Sequence, residues 1–275
     1  MKVTISTLRQ DKTLGKKFSM ISCYDYVSAK IAASAGVDTL LAGDSAAQFV
    51  LGYDNTLSVT MDFMISITAG LRRAAPDLLL VADMPYAGSK NGRTETVNNA
   101  KRFMDESGAD IVKIEMVEAD LETIKAMVAA KIPVMPHLGI RPQTGVYKAE
   151  GTTAEVGAEI TKLAEALYKI GAEMLLLEGT AREVAKIITE KLPIPVVSCG
   201  SGPDCDGQVL VLPDILNLRV GHSPKFTKAF GDVGKASYEA INLYHNQIVS
   251  GKFPDDEHSY HMKTGELDRL LKMIE

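Results

Sequence analysis

The feature that most constrains the fold of this 275-residue chain is a repeated alternation of short apolar runs with amphipathic segments. Eight runs have the length and the β-branched content of buried strands. They are Phe18–Tyr24, Asp38–Asp44, Leu78–Asp83, Asp110–Glu115, Pro133–Leu138, Met174–Glu178, Pro195–Cys199 and Gln208–Leu212. Helical patterns lie between them, for example Thr94–Glu106, Leu121–Ala130, Ala154–Ile170 and Ala181–Lys191. Alternating strands and helices predict a parallel sheet, and about eight such units predict its closure into a (β/α)₈ TIM barrel of the α/β class.

An open, doubly wound sheet is the alternative arrangement of such units. The sequence lacks the Gly-x-Gly-x-x-Gly pattern that such a sheet places after its first strand. No linker of biased composition divides the chain, so residues 1–275 are predicted to form one domain. A tail is predicted from about residue 253, with a short helix over Gly265–Ile274. Two longer polar connections, Asp54–Thr60 and Thr144–Thr153, are typical of loops that cover an active site.

Composition narrows the class of protein. Apolar residues make up 46% of the chain, enough for a large core, and the formal net charge is −5. Lysine and arginine are dispersed along the chain, so no nucleic-acid partner is predicted. No apolar run approaches the length that crosses a bilayer, and the first residues turn polar too early for a secretory signal. The three cysteines, Cys23, Cys199 and Cys205, lack the spacing of a zinc site, and their odd number favours a reducing cytoplasm.

Charged or polar side chains stand at the carboxyl ends of five predicted strands. They are Asp44, Asp83, Lys113, Glu115, His137 and Glu178. Strand interiors disfavour such residues, so their recurrence at this position is informative. The carboxyl ends of all strands of a barrel converge on one mouth, where catalysis takes place. The sequence therefore predicts one polar active site.

Asp44 and Asp83 end two neighbouring predicted strands. Two carboxylates held close together repel each other unless a proton or a cation lies between them. Mg²⁺ binds through one or two carboxylates and retains water at its other positions, and Mn²⁺ is the alternative ion. The pair therefore predicts a divalent metal site, while a helix cap or a turn is the structural alternative for each aspartate.

Lys113 and Glu115 lie two residues apart on one strand, so their side chains point to the same face. An inward cation and carboxylate can serve substrate binding, and a buried ion pair is the structural alternative. Lysine also forms Schiff bases in some barrel enzymes. The neighbouring glutamate favours the charged amine, which makes that chemistry the weaker interpretation.

Glu178 ends a strongly apolar strand, which predicts a raised pKa and the role of a general base. The alternative for Glu178 is a residue that precedes a helix. His137 is predicted to contact substrate, with a satisfied structural histidine as the equal alternative. No role in the site is predicted for the other histidines, which are His222, His245, His258 and His261.

Short motifs over about Thr4–Tyr260 resemble, in their order and spacing, the ketopantoate hydroxymethyltransferase family. They are Cys23-Tyr24-Asp25, Gly43-Asp44-Ser45, Ala82-Asp83-Met84-Pro85, Val112-Lys113-Ile114-Glu115, His137-Leu138-Gly139, Pro142-Gln143, Tyr147-Lys148, Leu177-Glu178, Asp204-Cys205-Asp206-Gly207-Gln208, Pro224-Lys225-Phe226 and Glu257-His258-Ser259. Enzymes of this family catalyse the first committed step of pantothenate biosynthesis.

The resemblance implies a barrel that assembles as a homo-oligomer, usually a decamer. It implies Mg²⁺ at Asp44 and Asp83 with Glu115 close by, and a 2-oxo acid bound by the metal, Ser45 and Lys113. It also implies Glu178 as the base and 5,10-methylenetetrahydrofolate as the donor of the one-carbon unit. The implied reaction converts 3-methyl-2-oxobutanoate into 2-dehydropantoate.

The chain departs from the family pattern at four places near the predicted mouth. They are Ala46-Ala47, Met116-Val117, a shortened loop over 144–147 and the run Ser198–Gly202. The predicted metal and base residues are intact, but a paralogue with a different 2-oxo acid is one alternative. A magnesium-dependent lyase or mutase of the related phosphoenolpyruvate mutase/isocitrate lyase superfamily is another. A non-catalytic barrel for assembly or sensing is the third.

Overall fold

A computed structural model describes residues 2–116, 120–219, 221 and 223–275, so Val117 and His222 lie outside the described residues. Eight parallel strands form a closed barrel in which each strand pairs with the next and β1 pairs with β8. The strands are β1 Phe18–Ser22, β2 Thr39–Ala42, β3 Leu79–Asp83, β4 Ile111–Glu115, β5 Val134–Gly139, β6 Leu175–Glu178, β7 Val196–Cys199 and β8 Gly207–Val211. The barrel prediction is confirmed.

The open-sheet alternative is wrong because β1 and β8 form a continuous parallel ladder from Phe18↔Gly207 to Ser22↔Val211. All eight predicted strands are present, with ends that differ from the predicted ones by at most two residues. β2, for example, is predicted to reach Asp44 but stops at Ala42. The predicted polar residue at the end of a run is therefore either the last residue of its strand, as with Asp83, Glu115 and Glu178, or lies just beyond it, as with Asp44.

The described residues also form α-helices. They are α1 Ile5–Thr13, α2 Tyr26–Ser34, α3 Ala46–Phe49, α4 Met61–Ala74, α5 Tyr86–Ser89, α6 Arg93–Arg102, α7 Leu121–Ala129, α8 Ala154–Lys169, α9 Arg182–Lys191, α10 Leu212–Ile215, α11 Val233–Val249 and α12 Glu266–Ile274. A π-helical turn, Phe103–Ser107, extends α6, and short 3₁₀ turns lie at Thr56–Ser58, Pro142–Thr144 and Asp256–His258. Amphipathic helices such as α8 and α9 bury an apolar face against the strands, as in Ile160 and Ile188.

The connection between β7 and β8 contains no helix, in contrast to a regular barrel unit. Residues 200–206 pass directly from one strand to the next, which is too short a segment for a helical crossover. The carboxylate of Asp206 anchors this connection, because its Oδ2 accepts the backbone N–H of Val196 at 2.8 Å. The backbone carbonyl of Asp206 also accepts the N–H of Phe18 at the start of β1.

Helix α1 closes the amino-terminal end of the barrel. Leu8 of α1 is buried and packs into the cluster that fills the barrel interior, together with Met20, Met135 and Leu176. Lys12 lies on the same helix, and its Nζ donates to Oδ2 of Asp206 at 2.6 Å and to the carbonyl of Thr189 at 2.8 Å. Apolar packing and this ion pair therefore close the amino-terminal end of the barrel. The polar strand-end side chains lie at the opposite, carboxyl-terminal end.

The chain divides into two compact units. One contains the described residues up to Ile215 and those of Arg219–Lys228, and it holds the whole barrel. The other contains Leu216–Leu218 and Ala229–Glu275, with α11 and α12, which have no buried residues. The predicted terminal helix is present as α12, whereas the sequence pattern does not single out α11. One domain over 1–275 with a tail from about residue 253 stays a prediction.

Among the described residues, no helix combines the length and the apolar character of a membrane span.

Candidate active site

The polar strand-end residues meet at the carboxyl-terminal end of the barrel. Asp83 and Lys113 are Cα partners on the adjacent strands β3 and β4. The ammonium of Lys113 donates to both carboxylate oxygens of Asp83, at 2.7 Å each, and both side chains are almost completely buried. Lys113 therefore forms its ion pair with Asp83, across the strands, and not with Glu115 of its own strand.

Asp44 follows β2 and lies beside this pair. Its backbone N–H donates to Oδ2 of Asp83 at 3.2 Å, and its own Oδ2 accepts the side-chain amide of Gln143 at 2.8 Å. The same amide nitrogen of Gln143 also donates to the carbonyl of Met84 at 3.1 Å. Gln143 therefore fixes the position of the Asp44 carboxylate relative to the end of β3.

Glu115 lies beneath the 3₁₀ turn that follows β5. Its Oε2 accepts the backbone N–H of Gln143 at 3.3 Å, and its Oε1 accepts that of Thr144 at 3.1 Å. Burial raises the pKa of Glu115 to about 7, although the positive charge of Lys113 opposes the shift. Glu115 thus ties the turn to the barrel floor in addition to its predicted place near a metal.

Lys113 carries the positive charge of the site. Burial by itself lowers its pKa, but the nearby carboxylates of Asp83, Asp44 and Glu115 outweigh burial and hold the pKa above its usual value. Lys113 is consequently an ammonium at neutral pH. A protonated lysine is not a nucleophile, so the arrangement disfavours Schiff-base chemistry.

Glu178 and His137 form a second pair in the mouth. Oε2 of Glu178 lies 3.4 Å from Nε2 of His137, and Glu178 ends β6, next to β5. Burial raises the pKa of Glu178 to about 7; Lys113 opposes this shift, and the other carboxylates add to it. A carboxyl group that titrates near neutrality is suited to accept a proton from carbon.

His137 is buried, and neither ring nitrogen has a partner in good hydrogen-bond geometry among the described residues. Burial and the positive charges of Lys113 and Arg141 lower the pKa of His137 well below its usual value, although the backbone at Ile140 opposes the shift. The imidazole is therefore neutral. A buried polar group without a partner is costly. His137 is not among the residues that line the cavity described below, so its predicted contact with substrate stays a prediction.

Ser45 and Tyr24 form the wall beside Asp44. The Tyr24 hydroxyl and the Ser45 hydroxyl are 2.8 Å apart. Ser45 precedes α3, but its side chain makes no cap hydrogen bond to that helix. The Ser45 side chain is therefore not engaged by the helix, and Ser45 lines the cavity described below. The family resemblance predicts that this hydroxyl binds substrate.

The acidic groups fit a hard divalent cation. Asp44, Asp83 and Glu115 are oxygen donors with only one ammonium between them, and burial raises the pKa of Asp83 and of Glu115. This excess of buried negative charge needs either protons or a cation. Among the described residues, no three His, Cys, Asp or Glu side chains form a ready-made metal cage. Mg²⁺ needs only one or two carboxylates, so Asp44 and Asp83 suffice.

A cavity of about 1120 Å³ opens above these groups. Its floor includes Asp44, Asp83, Lys113 and Glu178, and its inner wall includes the apolar side chain of Leu176. Parts of both predicted cover loops border it. These are Asp54, Asn55 and Thr56 of the first loop, with Tyr147 and Ala149 of the second. The cavity has room for a small acid and for a larger second molecule.

Several residues of the site are not predicted from the sequence as site residues. Gln143 belongs to a motif of the resemblance, but nothing in the pattern indicates that it holds Asp44. Cys199 is the Cα partner of Glu178 and lines the cavity, and its pKa is raised well above the usual value by burial and by Glu178. Arg219 and Phe226 also line the cavity. The motif containing Phe226 is the one signal that could have indicated it.

The other histidines that are described lie elsewhere. His245 belongs to α11, and the exposed His258 and His261 pair with Asp255 and Asp256 at 2.6 and 3.2 Å. They lie in the unit that does not contain the barrel.

Solved structures share this architecture at low sequence identity. A 2,3-dimethylmalate lyase of the phosphoenolpyruvate mutase/isocitrate lyase superfamily matches with a TM-score of 0.62 and 19% identity, over 99% of this chain and 93% of that chain. A phosphonopyruvate hydrolase, solved in complex with oxalate and Mg²⁺, matches with a TM-score of 0.61 and 14% identity, over 100% and 97%. At these identities the likeness shows the fold alone.

Sequence relatives are much more similar. A 3-methyl-2-oxobutanoate hydroxymethyltransferase from Koribacter versatilis is 41% identical over 100% of this chain and 94% of its own length. One with the same name from Moorella thermoacetica is 41% identical over 94% of this chain and 98% of its own length. The sequence model of the family described as ketopantoate hydroxymethyltransferase matches residues 2–256. The chain therefore belongs to the ketopantoate hydroxymethyltransferase family, a family of transferases.

Proposed function

We propose that this protein transfers a hydroxymethyl group from 5,10-methylenetetrahydrofolate to 3-methyl-2-oxobutanoate and forms 2-dehydropantoate. The observation that carries the proposal is the position of Glu178, a carboxyl group with a pKa near 7 in the same cavity as the Asp83–Lys113 pair. Membership of the family supports the choice of substrate.

Asp44 and Asp83 are the proposed metal ligands, with Glu115 close by. A bound Mg²⁺ would supply a Lewis acid to the carboxylate and ketone oxygens of the 2-oxo acid. Ser45 and Lys113 bind the same acid in this proposal, and the Lys113 ammonium offsets negative charge that develops on its ketone oxygen. The neutral imidazole of His137, which has no well-aligned partner among the described residues, completes the binding of the substrate.

Glu178 removes the proton from the carbon next to the ketone. That carbon then forms a bond to the one-carbon unit of the donor. In the net reaction, both bonds from this unit to the two folate nitrogens that it bridges break, and water supplies the hydroxyl group. The two nitrogens take up two protons in exchange with solvent, equal in number to the one that Glu178 removes from the acid and the second proton of water, and tetrahydrofolate leaves.

The experiment has two stages. Proton NMR first follows solvent deuterium exchange at the carbon next to the ketone, for a panel of 2-oxo acids, with and without Mg²⁺ or Mn²⁺. The second stage adds 5,10-methylenetetrahydrofolate and measures 2-dehydropantoate. We expect metal-dependent exchange that is fastest with 3-methyl-2-oxobutanoate, followed by formation of product.

Other outcomes identify the alternatives. Preference for a different 2-oxo acid indicates a paralogue with another substrate, and cleavage of a 2-methylmalate-like acid without folate indicates a lyase. A protein that binds neither Mg²⁺ nor the 2-oxo acid in calorimetry is a non-catalytic barrel. A cytoplasmic location and assembly into a decamer are also part of the proposal, and sedimentation of the purified protein tests the assembly.

A further inference from the structure

The outer part of the cavity differs in chemistry from its floor. The floor consists of strand-end carboxylates and Lys113, whereas the helix ends and loops above it contribute Phe49, Arg182, Arg219, Lys225 and Phe226. None of these five residues has a place in the proton transfer proposed above. They line the same cavity, so their chemistry bears on what binds above the 2-oxo acid.

Phe49 belongs to a stack of flat groups. The guanidinium carbon of Arg219 lies 4.7 Å from the centroid of the Phe49 ring, and the Tyr24 ring stacks on Phe49 with centroids 6.0 Å apart. Asp214, which is nearly buried, holds the guanidinium through Nε and through Nη2 at 3.1 Å. The charge of Arg219 is thereby neutralised, and the stack offers a flat surface more than a free cation.

Phe226 lies directly against the backbone of Gly200. A Cβ atom on Gly200 would lie 2.5 Å from the Phe226 ring, and Gly200 has a φ of +74°, which favours glycine. The close approach fixes the ring at the edge of the cavity. Two aromatic side chains from separate segments therefore line one cavity, as in sites that bind planar rings by stacking.

Two cations border the same region. Lys225 is exposed and forms no ion pair with any residue that the structure describes, and Arg182 is exposed with its Nε 2.7 Å from Asp204. The four carboxylates below, Asp44, Asp83, Glu115 and Glu178, are accompanied by one ammonium. Without a bound cation, the floor therefore repels negative charge on a ligand, whereas the ammonium of Lys225 attracts it.

We infer that Phe49, Arg219 and Phe226 bind the heteroaromatic ring of the one-carbon donor, while Lys225 binds the carboxylates of its glutamate tail. Arg182 also lines the cavity, but Asp204 offsets its charge. This inference rests on the proposed function, because it assigns a subsite to the second substrate. The assignment predicts that further glutamates on the donor strengthen binding through Lys225.

Equilibrium binding of 5-formyltetrahydrofolate, a stable analogue, tests the inference by calorimetry in the presence of Mg²⁺. Forms with one and with three glutamates are compared in each variant. We expect the triglutamate to bind more tightly to the unchanged protein, by about tenfold at low salt. In Lys225→Ala the ratio of the two affinities falls towards one. In Phe226→Leu both affinities fall by about tenfold, and their ratio is retained.

Lys101→Ala is the matched control, because Lys101 is an exposed lysine of α6 outside the cavity. It leaves the affinity ratio unchanged. An unchanged ratio in Lys225→Ala, or full affinity in Phe226→Leu, overturns the inference. If the unchanged protein then still forms 2-dehydropantoate, the subsite assignment alone fails. If it forms no product from the donor at all, the proposed function fails.

Discussion

Nε2 of His137 lies 3.4 Å from Oε2 of Glu178, and the two groups differ in how they titrate. Burial raises the pKa of Glu178 to about 7 and lowers that of His137 well below its usual value. A lowered pKa makes the neutral imidazole a weak proton acceptor at neutral pH, whereas a carboxyl group with a pKa near 7 can accept a proton there. The two pKa shifts therefore favour Glu178 over His137 as the proposed base.

Replacement of Glu178 by glutamine tests that role. Glu178→Gln keeps the size of the side chain but removes the base, so solvent deuterium exchange into the 2-oxo acid should fall by at least ~100-fold. Calorimetry with Mg²⁺ should show nearly unchanged affinity. Glu183→Gln, on the exposed first turn of α9, is the control and should exchange normally. Exchange that survives in Glu178→Gln removes this residue from the mechanism.

The exchange rate should depend on pH in a direction set by Glu178. The base must be ionised, so the rate rises as pH increases through the pKa of Glu178, near 7 in the protein without metal. A bound divalent cation favours the ionised form and moves this rise to lower pH. His137→Gln should retain the rise, because His137 is neutral throughout this range. Loss of the rise in His137→Gln would assign it to the histidine.

The same carboxyl groups should make stability depend on pH and metal. Glu115 and Glu178 have pKa values of about 7 when folded, against a usual value of 4.5. The folded state then binds more protons between these values, so stability falls as pH rises from about 4.5 to 7. Mg²⁺ should consequently raise Tm more at pH 8 than at pH 5, as measured by thermal unfolding. Asp44→Asn should remove most of this difference, and an equal rise at both pH values would contradict the account.

Gln143 should influence metal affinity without being a metal ligand. Its amide holds the Asp44 carboxylate at 2.8 Å, so Gln143→Ala frees that carboxylate. Loss of a group that orients a ligand typically weakens metal binding by ~10–100-fold. Gln208→Ala is the matched control, because the Gln208 amide donates to the carbonyl of Gly202 and does not line the cavity. Mg²⁺ titration calorimetry compares the two, and equal affinities would show that Asp44 needs no support.

The ion pair at the other end of the barrel should affect stability alone. Lys12→Met leaves the mostly buried Asp206 carboxylate without its cation, which should cost about 3 kcal/mol in the free energy of unfolding. Lys16→Met, which removes an exposed pair with Asp11, should cost less than ~1 kcal/mol. Urea unfolding measures both. A change of exchange rate per folded molecule in Lys12→Met would contradict a purely structural role.

The sequence predicts the barrel because apolar runs of strand length recur eight times, most of them separated by helical patterns, and five of the runs carry a polar residue at the carboxyl end. Strands covered on both faces produce that pattern directly, and it also identifies Asp83, Lys113 and Glu178 as strand-end residues. The pattern does not reveal that Lys113 pairs with Asp83 and not with Glu115, because this depends on the register of β3 against β4.

Loop residues of the site are harder to predict from the sequence. The contacts of Gln143 and Arg219 depend on turn geometry, which leaves no periodic trace in the sequence. The helix-free passage from β7 to β8 is similarly invisible, because the strand pattern gives the two ends but not the path between them. Helix α11 is not among the predicted helices, although its apolar residues Ile241, Tyr244 and Ile248 follow helical spacing, and these side chains are exposed in the structure.

The plug that Leu8 forms at the foot of the barrel has a kinetic consequence. In the proposed transfer both reactants reach the site through the cavity at the opposite end, with the smaller acid in the deeper position. A donor that bound first would block the path of the acid. The proposal therefore predicts that the acid binds first and that its product leaves last.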